Sequence, residues 1–266
     1  MKKLFAWVLF ILLMPACTNN TSDGDDDTEI VNTITPPSSI TYNVVGVYPH
    51  DTASFTQGLV WINDTLYEGT GLEGESRLMV VDLNTGKANK SVALDSSYFG
   101  EGITLLNSRI YELTWQNNKV FVYDAKTLKK IKELSWDHEG WGITNNGKDL
   151  IVSTGSSNLY FVDPETFKEK NIIGVMDNNG PVGNLNELEF VDGAVYANIY
   201  LSDYIVKIDP SNGHVIGKVN LSGILQKSGK PYNPDNVLNG IAYNAKKKSF
   251  YLTGKNWPAL FEVKLN

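Results

Sequence analysis

Gln57, Glu101, Asn186 and Lys255 fall among the aromatic residues Phe55, Phe99, Trp115, Trp141, Tyr200 and Trp257, all near the same ends of short apolar segments. Aromatic walls with a few polar groups converging between them are the usual build of a small-molecule pocket. One acid and one amine inside such a box, Glu101 and Lys255, point to turnover of the bound molecule rather than to binding alone. Trp141 stands in "EGWGIT", between Gly140 and Gly142, where the chain has no side chains on either side. It is expected to form a wall of the pocket rather than core.

Other chemistries lose their support on inspection. His50, His138 and His214 lie far apart and in no zinc-ligand spacing, and Cys17 is the only cysteine, which excludes a disulfide framework and a cysteine metal site. Asp82, Asp124, Asp163 and Asp209 suggest calcium at first. Each, however, sits where a strand enters a turn ("VDLNTG", "YDAKTL", "VDPETF", "IDPSNG"), where an Asp side chain bonds the next backbone amides. "GTGLEGES" places a G-x-G-x-x-G at Gly69, Gly71 and Gly74, but between two strands rather than between a strand and a helix, so it reads as a loop. The net charge of −7 without a basic stripe argues against nucleic acid as a partner.

The elements that must position these residues repeat. "QGLVWINDTLYEGTG", "EGITLLNSRIYELTW", "WGITNNGKDLIVSTG", "ELEFVDGAVYANIY" and "NGIAYNAKKKSFYLTG" open five copies of a unit of about 45 residues, each with short strands separated by turns. No long amphipathic helical pattern interrupts them. The expected fold is all-β, a five-bladed β-propeller. The last copy ends after three strands, and "ITYNVVGVYPH" before the first copy is a spare strand. A propeller must close or leave an exposed sheet edge, so the N-terminal strand is expected to complete blade five. Aligning the copies puts Gln57, Glu101, Trp141, Glu187 and Asn239 in one slot ahead of the innermost strand, four of them followed by glycine (Gly58, Gly102, Gly142, Gly240). These residues are expected to gather at one mouth of the central channel.

The first 17 residues read as a signal peptide: Lys2 and Lys3, then the apolar run "LFAWVLFILLM", too short to span a bilayer. "MPAC" resembles a bacterial lipobox, which makes Cys17 the expected lipid acceptor and the chain an exported lipoprotein of the cell envelope, on the periplasmic or outer-surface side. Residues 18–40, polar, acidic and ending near Pro36-Pro37, are expected to be a disordered tether. Residues 41–266 then form a single propeller domain, expected to act as a monomer.

"FTQGL", "YEGTG", "FGEGIT", "YELTW", "EGWGIT", "LNELE", "NGIAY" and "LTGKNWPALFEV" resemble the motifs of the plant- and bacterial-type glutamine cyclotransferases, in order and in every blade. The resemblance implies conversion of an N-terminal glutamine of a peptide or protein to pyroglutamate with release of ammonia. It implies Glu101 as the catalytic acid and Gln57, Asn186 and Lys255 as substrate-holding polar residues. Phe55, Phe99, Trp115 and Trp141 would be the aromatic walls, with Tyr200 where the family usually has Trp. Lys255 is expected to contact a substrate carbonyl or to orient Glu101, and no metal, nucleotide or flavin is required. Two other readings predict no ammonia. One is a lactone hydrolase with a cation held by Glu101, Glu187 and Asn239; the other is a binding propeller for a peptide or glycan.

Overall fold

The computed structural model describes residues 34–266, and apart from a 3-10 turn at Leu225–Ser228 its regular elements are strands. Residues 1–33, which carry the expected signal peptide, Cys17 and most of the tether, lie outside the described residues. The strands form five antiparallel blades of a propeller. Blade 1 runs Thr56–Ile62, Thr65–Thr70, Arg77–Val81 and Ala88–Ala93, and blade 2 Gly100–Leu106, Arg109–Thr114, Lys119–Asp124 and Lys130–Ser135. Blade 3 comprises Ile143–Asn145, Leu150–Ser153, Asn158–Val162 and Glu169–Gly174, and blade 4 Leu185–Val191, Ala194–Ile199, Tyr204–Ile208 and Val215–Asn220. Blade 5 takes Leu238–Asn244, Ser249–Gly254 and Ala259–Leu265 from the C-terminus, and Tyr42–Pro49 pairs antiparallel with Ala259–Leu265 as its outermost strand. The ring therefore closes through the N-terminal strand, as the repeat pattern requires.

Burial follows the order of strands within a blade. Innermost strands such as Gly100–Leu106 are buried almost throughout, whereas outermost strands such as Lys130–Ser135 alternate charge and are mostly exposed. The core lies between blade faces: Leu106, Tyr111, Leu113 and Val122 of blade 2 pack against Ile143, Leu150, Val152 and Tyr160 of blade 3. The four repeated aspartates behave as turn formers. Asp82 Oδ1 accepts the amides of Asn84 and Thr85, and Asp163 Oδ1 those of Glu165 and Thr166. Asp124 and Asp209 repeat the pattern.

A buried cluster pins the closure. His50, just past the closing strand, places Nδ1 2.7 Å from the Trp257 carbonyl and Nε2 3.0 Å from Glu68, which also accepts the Thr56 hydroxyl at 2.7 Å. A carbonyl can only accept, so Nδ1 carries a proton. Burial pushes the imidazole pKa down, but Glu68, the Trp257 carbonyl and the Asp51 charge together outweigh it and the net shift is upward, which favours the doubly protonated ring donating to both partners.

One expectation is corrected here. Ser38–Ile40, assigned above to the tether, is a strand lying parallel to the outer strand of blade 4, with Ile40 opposite Val219. That outer strand has a free edge, and an edge recruits any extended segment close enough to pair with it.

At the axis the blades meet backbone to backbone. A Cβ on Gly58 would lie 2.3 Å from the amide nitrogen of Ile103, and one on Gly142 would lie 2.0 Å from the Asn186 carbonyl oxygen. This crowding corrects the alignment of blade 4. Leu188 pairs with Ala197 as Ile103 pairs with Glu112 and Ile241 with Leu252. Asn186 therefore occupies the slot, and Glu187 takes the position that is Gly58, Gly102, Gly142 and Gly240 in the other blades. With no glycine to mark the phase, the Asn-Glu pair sits one residue out of the register that the sequence repeat implies. The single side chain among four glycines reaches across the channel: Glu187 Oε1 accepts the amide of Leu59 in blade 1 at 3.1 Å, and Oε2 that of Ile241 in blade 5 at 2.8 Å. Replacing Glu187 by Ala leaves two buried amides without partners, at a cost of about 1–3 kcal/mol each. The expected outcome is a folded protein with a clearly lower midpoint in urea, measured by equilibrium unfolding.

Candidate active site

The slot residues turn toward the channel mouth because the innermost strands are bulged there. The ladder slips between Thr56 and Gly58, Gly100 and Ile103, Leu185 and Leu188, and Leu238 and Ile241, in each case at the slot. A bulge re-aims a side chain that regular pairing would hold in the sheet. Two residues ahead of the slot in blades 1, 2, 4 and 5, the chain accepts a hydrogen bond from the residue just beyond the second strand. Gly71 N donates to Phe55 O, Trp115 N to Phe99 O, Tyr200 N to Asn184 O and Lys255 N to Val237 O. In blade 3 Gly155 N donates to Leu185 O instead, but the pairing of Ile143 with Val152, like that of Ile103 with Glu112, puts Glu139 and Gly155 at the same offsets, so each blade offers the mouth three equivalent positions. The first is Phe55, Phe99, Glu139, Asn184 and Val237; the slot is Gln57, Glu101, Trp141, Asn186 and Asn239; the third is Gly71, Trp115, Gly155, Tyr200 and Lys255.

Nine of these fifteen line one cavity of about 230 Å³: Phe55, Gln57, Phe99, Glu101, Trp115, Trp141, Asn186, Tyr200 and Lys255. They are the nine residues singled out from the sequence as catalytic or substrate-holding, and the fold brings all of them together. Trp257 is not among them. It is buried in the core between blades 4 and 5, its indole N–H donating to Asn236 O.

The rings meet edge to face: Phe55 and Phe99 at 6.1 Å, Phe99 and Trp115 at 5.7 Å, Trp141 and Tyr200 at 5.5 Å. Two glycines at the third position make room for them. A Cβ on Gly71 would lie 2.4 Å from the Phe99 ring, and one on Gly155 2.6 Å from the Trp141 indole. Gly71 belongs to the G-x-G-x-x-G string, which is explained by this ring contact and not by a phosphate.

Among the polar groups, Glu101 is buried, and no hydrogen bond from the described residues contributes to its protonation balance. Burial pushes its carboxyl well above the usual range; the Lys255 charge opposes the shift and the Glu139 charge adds to it. Lys255 forms no hydrogen bond with Glu101. Its ammonium lies over the Phe55 ring at 4.5 Å and the Tyr200 ring at 4.9 Å, and burial brings its pKa down to about 8 against the pull of Glu101. Asn239 donates from Nδ2 to Thr56 O and to Gln57 Oε1 at 3.3 Å, which commits the Gln57 oxygen and leaves its amide N–H groups for the cavity. Asn186 supplies the complement, since its buried Oδ1 has no partner among the described residues. The cation site of the lactone-hydrolase reading does not assemble: Glu187 and Asn239 are turned to the neighbouring strands and only Glu101 faces the cavity.

Sequence reasoning missed Glu139, Gly155 and the role of Gly71. The signal for Glu139 was its offset, two residues before Trp141, as Phe55 stands before Gln57 and Phe99 before Glu101.

A five-bladed propeller whose channel mouth is an aromatic box enclosing a buried acid is equipped to bind a small molecule or a chain end and to move a proton on it. The comparisons define the family. A profile described as glutamine cyclotransferase matches residues 10–265, and the chain is 40% identical over 269 aligned residues to a glutaminyl-peptide cyclotransferase of Arabidopsis thaliana, covering 98% of this chain and 81% of that protein. The crystal structure of the Myxococcus xanthus glutaminyl cyclase superposes with a TM-score of 0.81 at 32% identity, covering 86% of this chain and 98% of that one. The chain belongs to the glutamine cyclotransferase family.

The glycine–ring contact gives a test of the box. Gly71→Ala must displace the Phe99 ring, and misplacing a positioning group by about 1 Å costs roughly 100-fold in rate. Steady-state kinetics should show kcat/KM reduced by that order. Gly174→Ala, where the added carbon would meet only the Asn158 side chain at 3.8 Å, should leave it unchanged.

Proposed function

We propose that this protein is a glutaminyl-peptide cyclotransferase that closes an N-terminal glutamine to pyroglutamate, with Glu101 as the proton shuttle. The observation that carries the reading is a buried carboxyl without a hydrogen-bond partner among the described residues, at the wall of an aromatic cavity that also presents amide donors, an amide acceptor and an ammonium. A glutaminyl side chain needs that complement. Gln57 N–H and the Lys255 ammonium face its carbonyl oxygen, and Asn186 Oδ1 accepts from its amide. The α-amine, with an ordinary pKa of about 7.7–8.0, is substantially neutral at working pH.

Its nitrogen attacks the side-chain carboxamide carbon, forming the ring C–N bond. The Glu101 carboxylate takes one proton from the attacking nitrogen and gives it to the amide nitrogen, whose bond to carbon breaks, and ammonia leaves. The carboxylate ends as it began. Holding the chain curled between stacked rings contributes up to roughly 7–11 kcal/mol, and the positioned shuttle about 100- to 10,000-fold.

A short peptide beginning with glutamine should release ammonia with the matching mass loss, and Glu101→Gln should lose most of the rate with its fold intact. Because the carboxylate must be ionised at the start and its pKa is raised, kcat should fall on the acid side well above pH 4.5. Absence of ammonia from the folded parent would sink the reading and bring the binding propeller forward.

The envelope location belongs to the same proposal and rests on the sequence of residues 1–17, with "MPAC" ending at Cys17. In a bacterial host the full chain should take up labelled palmitate and sediment with membranes. Cys17→Ser should abolish both.

A further inference from the structure

Of the five first-position residues at the mouth, blade 3 supplies the only charged one. At the first of the three equivalent positions, blades 1 and 2 place Phe55 and Phe99, whereas blade 3 places a carboxylate, Glu139. Its oxygens are fully directed at the walls of the cavity. Oε2 accepts the indole N–H of Trp115 at 3.0 Å and that of Trp141 at 3.1 Å, and Oε1 accepts from Gln116 Nε2 at 2.9 Å. The backbone on either side is held too: Trp136 Nε1 donates to Glu139 O at 3.2 Å and Gly140 N to Trp115 O at 3.1 Å.

An indole at a pocket rim is not fixed by packing alone, because the ring torsion of an aromatic side chain is broad. Trp115 is 38% exposed and touches one ring, Phe99, on one side. Water could satisfy its N–H equally well. A single carboxylate bridging two indoles from neighbouring blades instead fixes both planes relative to each other. We propose that Glu139 is a positioning residue of this site: a charged clamp that holds Trp115 and Trp141 as fixed walls and sets the electrostatic environment of Glu101. The inference rests on the cyclotransferase reading for its kinetic consequences and on the hydrogen bonds alone for its structural ones.

The electrostatic half follows from the same placement, since the Glu139 carboxylate is held against Trp115 and Trp141, two walls of the cavity that Glu101 lines. The charged groups that bear on Glu101 are Lys255 from blade 5 and Glu139 from the segment leading into blade 3. Hydrogen bonds from Gln116, Trp141 and Trp115 hold Glu139 below the usual carboxylate range despite partial burial, so it is an anion throughout the working pH range. Its charge acts on Glu101 in the direction opposite to that of Lys255, and the acid stays available for proton transfer although an ammonium shares its cavity.

The test uses the charge-removing Glu139→Gln and the charge-keeping, shorter Glu139→Asp, each with its melting temperature as a control for folding. Both should lower kcat/KM on a glutaminyl peptide by about 10- to 100-fold, the range expected for a misplaced positioning group. Only Glu139→Gln should move the acid limb of kcat to lower pH, since Glu139→Asp keeps the charge that raises the Glu101 pKa. Folded variants with unchanged kcat, KM and acid limb would overturn the proposal. If the parent itself releases no ammonia, the cyclotransferase reading fails separately. The clamp is then read from near-ultraviolet circular dichroism of Glu139→Ala, which must lose indole signal, and an unaltered spectrum would overturn it.

Discussion

Every innermost strand of this ring has one edge with no neighbouring strand, and those edges face a narrow channel rather than open water. A buried amide without a partner costs about 1–3 kcal/mol, so the edges require acceptors from elsewhere. They find them on other blades. Glu187 takes Leu59 and Ile241, Glu189 takes Tyr243, Asn198 takes Gly240, the Thr144 hydroxyl takes Phe190, and the Trp141 carbonyl takes Gly102. The side chains that bond across the axis can do so only because the glycines there let the strands approach to contact. The mouth above is the end of this bonded ring, and its geometry inherits the ring's rigidity.

From a five-fold repeated backbone the site draws an asymmetric pocket. Each blade supplies three positions at the mouth, and the differences between blades are side-chain differences. Where the third position is glycine, in blades 1 and 3, the slot or first-position ring of a neighbouring or the same blade lies over it: Phe99 over Gly71 and Trp141 over Gly155. Where the third position is large, as Trp115, Tyr200 or Lys255, it forms the wall itself. A repeat fold separates the two tasks cleanly, since the backbone closes the ring and the substituents shape the cavity.

This separation explains what was legible in the sequence. The strand pattern, the period and the missing fourth strand of the last copy are local or periodic signals, and they carried the fold and its closure by Tyr42–Pro49. The cavity residues were legible because bulged strand starts and second-strand ends recur at fixed offsets. Phase within blade 4 was not, because "LNELE" offers two adjacent polar residues and lacks the glycine that marks the slot elsewhere. Ser38–Ile40 was hidden for a different reason: a short segment beside two prolines has no pattern of its own and becomes a strand only because blade 4 leaves an outer edge to pair with. The offset of Glu139 before Trp141 marks its position at the mouth but not its role, which lies in contacts with two indoles 24 and 2 residues away.

The acid and the amine of the cavity show why enclosure matters more than pairing. Had Lys255 docked directly on Glu101, the ion pair would have held the carboxyl ionised and the amine charged, each moved away from neutrality. The rings prevent this. Phe55 and Tyr200 take the ammonium on their faces, a contact that stabilises a desolvated cation without supplying a full counter-charge. Burial then moves both groups the same way in function, the acid up and the amine down to about 8. Two groups that attract each other through space, yet are kept from contact by aromatic rings, remain able to exchange protons with a third party. Tyr200 is one of those rings, and its flat face does for Lys255 what a larger indole would do, with a hydroxyl added at its edge.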